Sequence, residues 1–350
     1  MNNNIQMKKY IFYVIFANLA LVSCKNNEWS FDDFEYSAVY FAYQSPVRTI
    51  TLGEDIYDNS MDNQHKCQIM ATMSGVYSNP KDVTIDFEVN NDLVNGLIYD
   101  GTQQPVLAMP THYYTLASDK IVIPKGNIVG GVEVQLTDAF FEDPKAISTN
   151  YVIPLQMKQV HNADSILKGR PVPSILNPHP AVGYEWDVVP KDYIFYAIKY
   201  INTWHSTYLR RGKDVITGDN GNSSLNQTIS RRNKYIEKDE VCHIETVSLD
   251  KAIFSSSIKD SDNNDMHYQL ILTFDDNDKC TISGQSTDYT ASGTGQFVKR
   301  GDKNSWGGED RDVLYLDYEI KFADRTLNTM DTLAVRDRGV VMETFTPVRQ

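Results

Sequence analysis

Two short stretches bring together flat aromatic rings and groups that bond hydroxyls. Trp306, Asp310, Arg311 and Asp312 fall within one of them, and Trp204, His205, Tyr208 and Arg210 within the other. Such a set suits a sugar: the ring covers the C–H face while neighbouring Arg, Asp and Asn bond the hydroxyls, and no perturbed chemistry is required. Both stretches also have a structural reading. Trp204 could plug the end of a barrel, packed against Arg336 or Arg338, and Trp306-Gly307-Gly308 could shape a turn. The acids beside Trp306 raise a different chemistry, because glycoside hydrolysis needs two carboxyls about 5 to 10 Å apart. Asp310 and Asp312, with Glu309 adjacent, could form such a pair. Nothing near them suggests a raised pKa, so recognition is the more natural role than turnover.

Other chemistry is sparse. The chain has no His-Glu-x-x-His, no Gly-x-Ser-x-Gly and no phosphate-cradling glycine loop; Gly293-Thr294-Gly295 lacks the further glycine and the helix. Cys242 and His243 are neighbours, and on a strand they point to opposite faces. The run from Lys259 to Asp265 imitates a calcium loop, but Asp265 stands where glycine is needed and Ile271 where a bidentate glutamate should be. No metal and no cofactor is expected. A formal charge of −13 makes the chain a poor match for phosphate backbones, which are gripped by clustered Lys and Arg, so nucleic acid is not an expected partner.

Lys8 and Lys9 precede a short apolar run that ends in Leu21-Val22-Ser23-Cys24. This is the layout of a secretory signal, and the run is too short to span a bilayer. The position of the cysteine resembles a bacterial lipobox, which implies cleavage before Cys24 and acylation of that residue. The polar, increasingly acidic segment after it, with Trp29, resembles the tether that carries lipoproteins of Bacteroidota to the outer face of the outer membrane. With Cys24 acylated, Cys67, Cys242 and Cys280 remain, which is not a disulfide framework. A buried thiol is the default for Cys280, with a Cys242–Cys280 bridge as the alternative.

The elements that must carry these residues are strands. Val83, Ile85, Phe87 and Val89 share one face; Tyr268, Leu270, Leu272 and Phe274 share another; Leu314, Leu316, Tyr318, Ile320 and Phe322 a third. Turn signals separate such runs, among them Asn95-Gly96, Gly130-Gly131 and the hairpin Asp275-Asp276-Asn277-Asp278. Proline clusters near Pro171, Pro173, Pro178 and Pro180, which rules out regular structure there. The division expected is a signal peptide over 1–23, a lipidated tether over 24–33, a β-sandwich over 34–162, a proline-rich linker over 163–190 and a β-barrel over 191–350. The fold class is all-β, an antiparallel sandwich followed by an antiparallel barrel. Trp204, Thr287-Asp288-Tyr289 and Arg336 with Arg338 give the barrel a weak lipocalin-like look.

Larger motifs carry a family resemblance. Tyr40-Phe41, Arg48-Thr49-Ile50-Thr51-Leu52-Gly53, Pro110-Thr111-His112-Tyr113-Tyr114 and Tyr151-Val152-Ile153-Pro154-Leu155 resemble the immunoglobulin-like N-terminal domain of surface lipoproteins from polysaccharide-utilisation loci of gut Bacteroidota. In some relatives that domain precedes an endo-β-N-acetylglucosaminidase. Here the second half resembles instead an uncharacterised β domain that travels with it, through Trp204-His205, Asn304-Ser305-Trp306-Gly307, Asp310-Arg311-Asp312 and Arg336-Asp337-Arg338-Gly339. The resemblance implies a cell-surface, outer-membrane lipoprotein that binds or presents glycan, without catalysis, for a transporter complex of the starch-utilisation type. The alternatives are an accessory subunit that docks on such a complex and touches no sugar, and a glycoside hydrolase. Asp164-Ser165-Ile166 and Asp331-Thr332-Leu333 also resemble acceptor sites for protein O-glycosylation in Bacteroidota.

Overall fold

The computed structural model describes residues 36–350. The expected signal, the lipidation site Cys24 and the tether with Trp29 lie outside the described residues. Strands dominate what is described; the α-helix Asp138–Glu142 is only five residues long. No helix among the described residues is long and apolar enough to cross a membrane.

The first unit is a folded sheet with two halves. One half joins Ala38–Tyr40, Lys66–Ser74 and Val129–Leu136, and the other joins Lys120–Ile123, Val83–Val89 and Tyr151–His161. The halves touch through the single pairing of Val122 with Gly131. A Cβ on Gly130 would stand 2.0 Å from the Val122 carbonyl oxygen, so glycine is what lets the strands meet there. Ile69, Val132 and Val134 from one half pack into a common core with Ile85, Ile123 and Ile153 from the other. The alternation read from Val83, Ile85 and Phe87 matches their burial, while Val89, at the strand end, is exposed.

The chain does not pass into the barrel where the sequence pattern placed the boundary. The strand Tyr193–Ile201, expected to open the barrel at 191, is hydrogen-bonded into the first unit. It runs antiparallel to Tyr151–His161 and parallel to Pro46–Thr51. Its nearly continuous apolar run is what burial on both faces demands, but apolarity does not say which sheet a strand joins. Residues 163–190 are likewise no spacer between domains. Ser165–Ile166 pairs with Ala38–Tyr40, Arg170–Pro171 pairs with Trp186–Val188, and Glu185 is buried and ion-paired to Arg349 at 2.9 Å. The end of the chain also returns: Glu343–Thr344 pairs with Pro46–Thr51, Pro347–Arg349 with Leu97–Tyr99, and the Phe345 ring lies 5.0 Å from that of Tyr99.

Between this departure and return lies a closed antiparallel barrel of eight strands: Ser206–Gly218, Glu240–Thr246, Lys251–Lys259, Asp265–Phe274, Lys279–Gly284, Thr290–Asp302, Arg311–Lys321 and Arg325–Asp337. The last strand pairs with the first from Thr207–Asp337, through a register shift before Tyr208–Val335, to Gly218–Arg325, which removes the sheet edges. Gln227–Arg231 lies beside the far half of the first strand. Tyr268, Leu270, Leu272 and Phe274 face inward, as do Leu314, Leu316, Tyr318 and Ile320; Phe322 is only partly buried. Cys67, Cys242 and Cys280 are free and buried, so the alternative of a Cys242–Cys280 bridge is not taken. Burial pushes the thiols of Cys242 and Cys280 up to about 12.

A candidate ligand cleft at the domain junction

The loop between the barrel strands Thr290–Asp302 and Arg311–Lys321 builds the site. Gly307 and Gly308 both have positive φ, 73° and 74°, a conformation that other residues adopt at a cost. Asp310 closes the loop, accepting from the Asn304 N–H at 3.0 Å and from Lys303 Nζ at 2.8 Å. The hydrogen bond from Lys303, with that from the Asn304 N–H, holds the Asp310 carboxyl below its ordinary range. That is the opposite of what a general acid needs. The half-buried Trp306 donates its indole N–H to the Val335 carbonyl at 2.9 Å, which fixes the ring against the last barrel strand. The Arg311 guanidinium lies over that ring, 3.7 Å from its centre, a cation–π contact that holds it in place. Asp312 accepts from the Arg300 N–H at 2.7 Å.

The opposite wall comes from the first unit. Glu54 reaches Lys299 at 3.4 Å and Arg300 at 3.5 Å. Beneath it, the buried Arg338 spans the junction, donating to the carbonyls of Glu54 at 2.9 Å, His205 at 2.8 Å and Asn202 at 2.6 Å. Between these walls is a cleft of about 450 Å³ that takes in Trp306, Asp310, Arg311 and Asp312, with Arg336 and Ile56. The size falls in the range of small-ligand sites.

The structure therefore brings one predicted set together and not the other. Trp204 is buried and stacked flat on Phe274, ring centres 3.7 Å apart and planes 5° from parallel. Neither Arg336 nor Arg338 is its ring partner, because Arg338 is spent on carbonyls. Tyr208 is fully buried and donates to the Trp204 carbonyl at 2.7 Å. Arg210 points into the barrel, where it meets Asp331 at 2.8 Å, Ser256 Oγ at 2.7 Å and Tyr318 Oη at 3.2 Å. Arg231 joins from the flanking strand, pairing with Asp214 and, at 2.7 Å, with Asp331. His205 accepts from the Thr246 N–H at 3.0 Å; burial, helped by Arg338, pushes its imidazole down to about 4. Trp204, Tyr208 and Arg210 thus hold the barrel together and present nothing to a ligand.

The sequence reading missed the wall contributed by Glu54 and Ile56, and its structural alternative for Trp204 offered Arg336 or Arg338 as the packing partner, where Arg338 is the post between the two units. A larger hollow of about 870 Å³ lies against Tyr315, Gln296 and Met330. Volume does not decide between the two: the smaller cleft holds an oriented indole and several charged donors, and it is the better site on chemical grounds. Among the described residues no group of His, Cys, Asp and Glu could hold a metal ion.

Comparison with known proteins matches both halves. Residues 203–339 match the model of a domain of unknown function, DUF5627, and residues 32–164 match the model of an N-terminal domain. No curated protein is significantly similar to the chain. A crystal structure of a protein of unknown function from Bacteroides ovatus shares 44% identity, covering 91% of this chain and 100% of that one, with a TM-score of 0.85. A second Bacteroides ovatus structure, of a protein named for carbohydrate binding, shares 13% identity over 88% of this chain and 97% of that one; its TM-score of 0.28 is too low to bear on fold or function. At 44% identity over the whole of its relative, and with the same architecture, this chain, whose residues 203–339 match DUF5627, belongs to the family of that Bacteroides ovatus protein of unknown function.

Proposed function

We propose that this protein is a non-catalytic glycan-binding lipoprotein, anchored through Cys24 at the outer-membrane surface and serving a polysaccharide-uptake system, with a starch-utilisation-type transporter complex as its partner. One observation carries the binding part. A half-buried indole, fixed by its own N–H and flanked by Arg311, Asp310 and Asp312, stands in a cleft large enough for one or two sugar rings. The anchor and the location rest on the lipobox-like segment that ends at Cys24 and on the family resemblance. The test is affinity electrophoresis of the whole protein against a panel of polysaccharides. Retardation by at least one glycan, lost in Trp306→Ala, supports the reading; no retardation by any of them refutes it.

One observation favours a second reading, docking on a protein partner. Ile56, in the wall of the cleft, and its sequence neighbour Tyr57 are 80% and 75% exposed, more than a sugar site needs. Under that reading no glycan retards the protein, and the double variant Ile56→Ser, Tyr57→Ser weakens its co-purification with a transporter complex.

A further inference from the structure

We infer that the cleft selects an acidic glycan, through a carboxylate or sulfate that meets the free edge of Arg311; this rests on the glycan-binding reading. Five acids, Glu54, Asp55, Asp310, Asp312 and Asp337, line the cleft, and so do four arginines: Arg300, Arg311, Arg336 and Arg338. Three are occupied. Arg300 reaches Glu54, Arg336 lies 3.7 Å from Asp337, and Arg338 is capped by three carbonyls. Arg311 differs. Among the described residues no carboxylate lies within ion-pair distance of it, and its one hydrogen bond is a long one from Nε to the Trp306 carbonyl at 3.4 Å. Asp312, next in sequence, is turned to the Arg300 N–H instead.

An unpaired guanidinium is unexpected in a chain with 46 acidic and 33 basic side chains. Stacking on Trp306 removes most of its freedom in advance, so little entropy is left to lose when a ligand engages it. Its two terminal nitrogens form a fork that matches a carboxylate or a sulfate by two parallel hydrogen bonds. A neutral sugar would fill the same space but leave this charge without a partner.

The net charge makes the test stringent, because a polyanion is repelled by the protein as a whole and is retained only by a local site. The whole protein is run through gels containing polygalacturonate, chondroitin, chondroitin sulfate or neutral dextran. The expected result is retardation by an acidic polymer and not by dextran, weakened by added salt and weakened about tenfold or more in Arg311→Gln. Arg311→Lys keeps the charge but loses the fork, and it should fall between the two; it also serves if Arg311→Gln shows no cooperative melting. Chondroitin against its sulfated form separates carboxylate from sulfate as the group selected. Retardation by dextran alone, or unchanged acidic binding in Arg311→Gln, overturns the inference and leaves glycan binding standing. No retardation in any gel overturns both.

Discussion

Replacing Arg338 by methionine tests whether one side chain fixes the two units to each other. Arg338 is 8% exposed, and its guanidinium donates to three carbonyls, one of them in the first unit and two at the entry to the barrel. Hydrogen bonds from a charged donor contribute about 1.5 to 3 kcal/mol each, so three give a gross loss of about 5 to 9 kcal/mol. Two terms offset this. Among the described residues Arg338 has no carboxylate partner, and burial pulls its pKa down, so removing the charge releases a desolvation cost of several kcal/mol. Water entering from the cleft can also serve part of the carbonyl set. A net destabilisation of about 3 kcal/mol is expected, or a fall in melting temperature of about 5 °C for a chain of this size. Arg338→Lys should recover little, since one ammonium cannot take the fork's three directions. The assay is thermal unfolding followed by circular dichroism, with amide exchange at Glu54, Asn202 and His205 reporting the junction itself. A methionine variant that melts within 2 °C of the parent, with unchanged exchange at those residues, would refute the reasoning.

Three further outcomes are expected. His205 is neutral in the fold, with its pKa at about 4, and it titrates near 6.5 when unfolded. The unfolded state therefore binds the extra proton between these values, so stability falls as pH drops from about 6.5 to about 4, by about 3 kcal/mol in all; in His205→Asn, whose oxygen can replace Nδ1, urea midpoints across that window should show a flatter profile. Asp331 accepts from Arg210, Arg231 and Tyr318 with its side chain fully buried, so Asp331→Asn should cost about 3 to 5 kcal/mol in urea unfolding by leaving two guanidinium groups short of charge. Intact mass of the membrane fraction should show a lipid-bearing chain that begins at Cys24, and a chain that retains Met1 without modification would remove the anchor from the proposal.

The local part of the structure was legible in the sequence. Period-two runs named the inward faces around Leu270 and Leu316 because a strand sends alternate side chains to opposite sides. The set from Trp306 to Asp312 came together because a short loop and the start of one strand hold all of it. Long-range pairing was not legible. Nothing near Tyr193 says that its strand lies between Pro46–Thr51 and Tyr151–His161, and nothing near Glu54 points to Arg338, 284 residues away. The error at Tyr208 and Arg210 had an available signal. They sit two residues apart, so an inward tyrosine carries the arginine inward with it, and the buried charge then requires the acid that Asp331 supplies.

The route of the chain has a consequence for biosynthesis. Glu343–Thr344 and Pro347–Arg349 follow the whole barrel in the chain, yet they complete sheets begun by Pro46–Thr51 and Leu97–Tyr99. The first unit therefore stays unfinished, with bare strand edges, throughout synthesis of the barrel. A stop codon directly after Arg338 would spare every barrel strand and still expose the oldest part of the polypeptide to proteases.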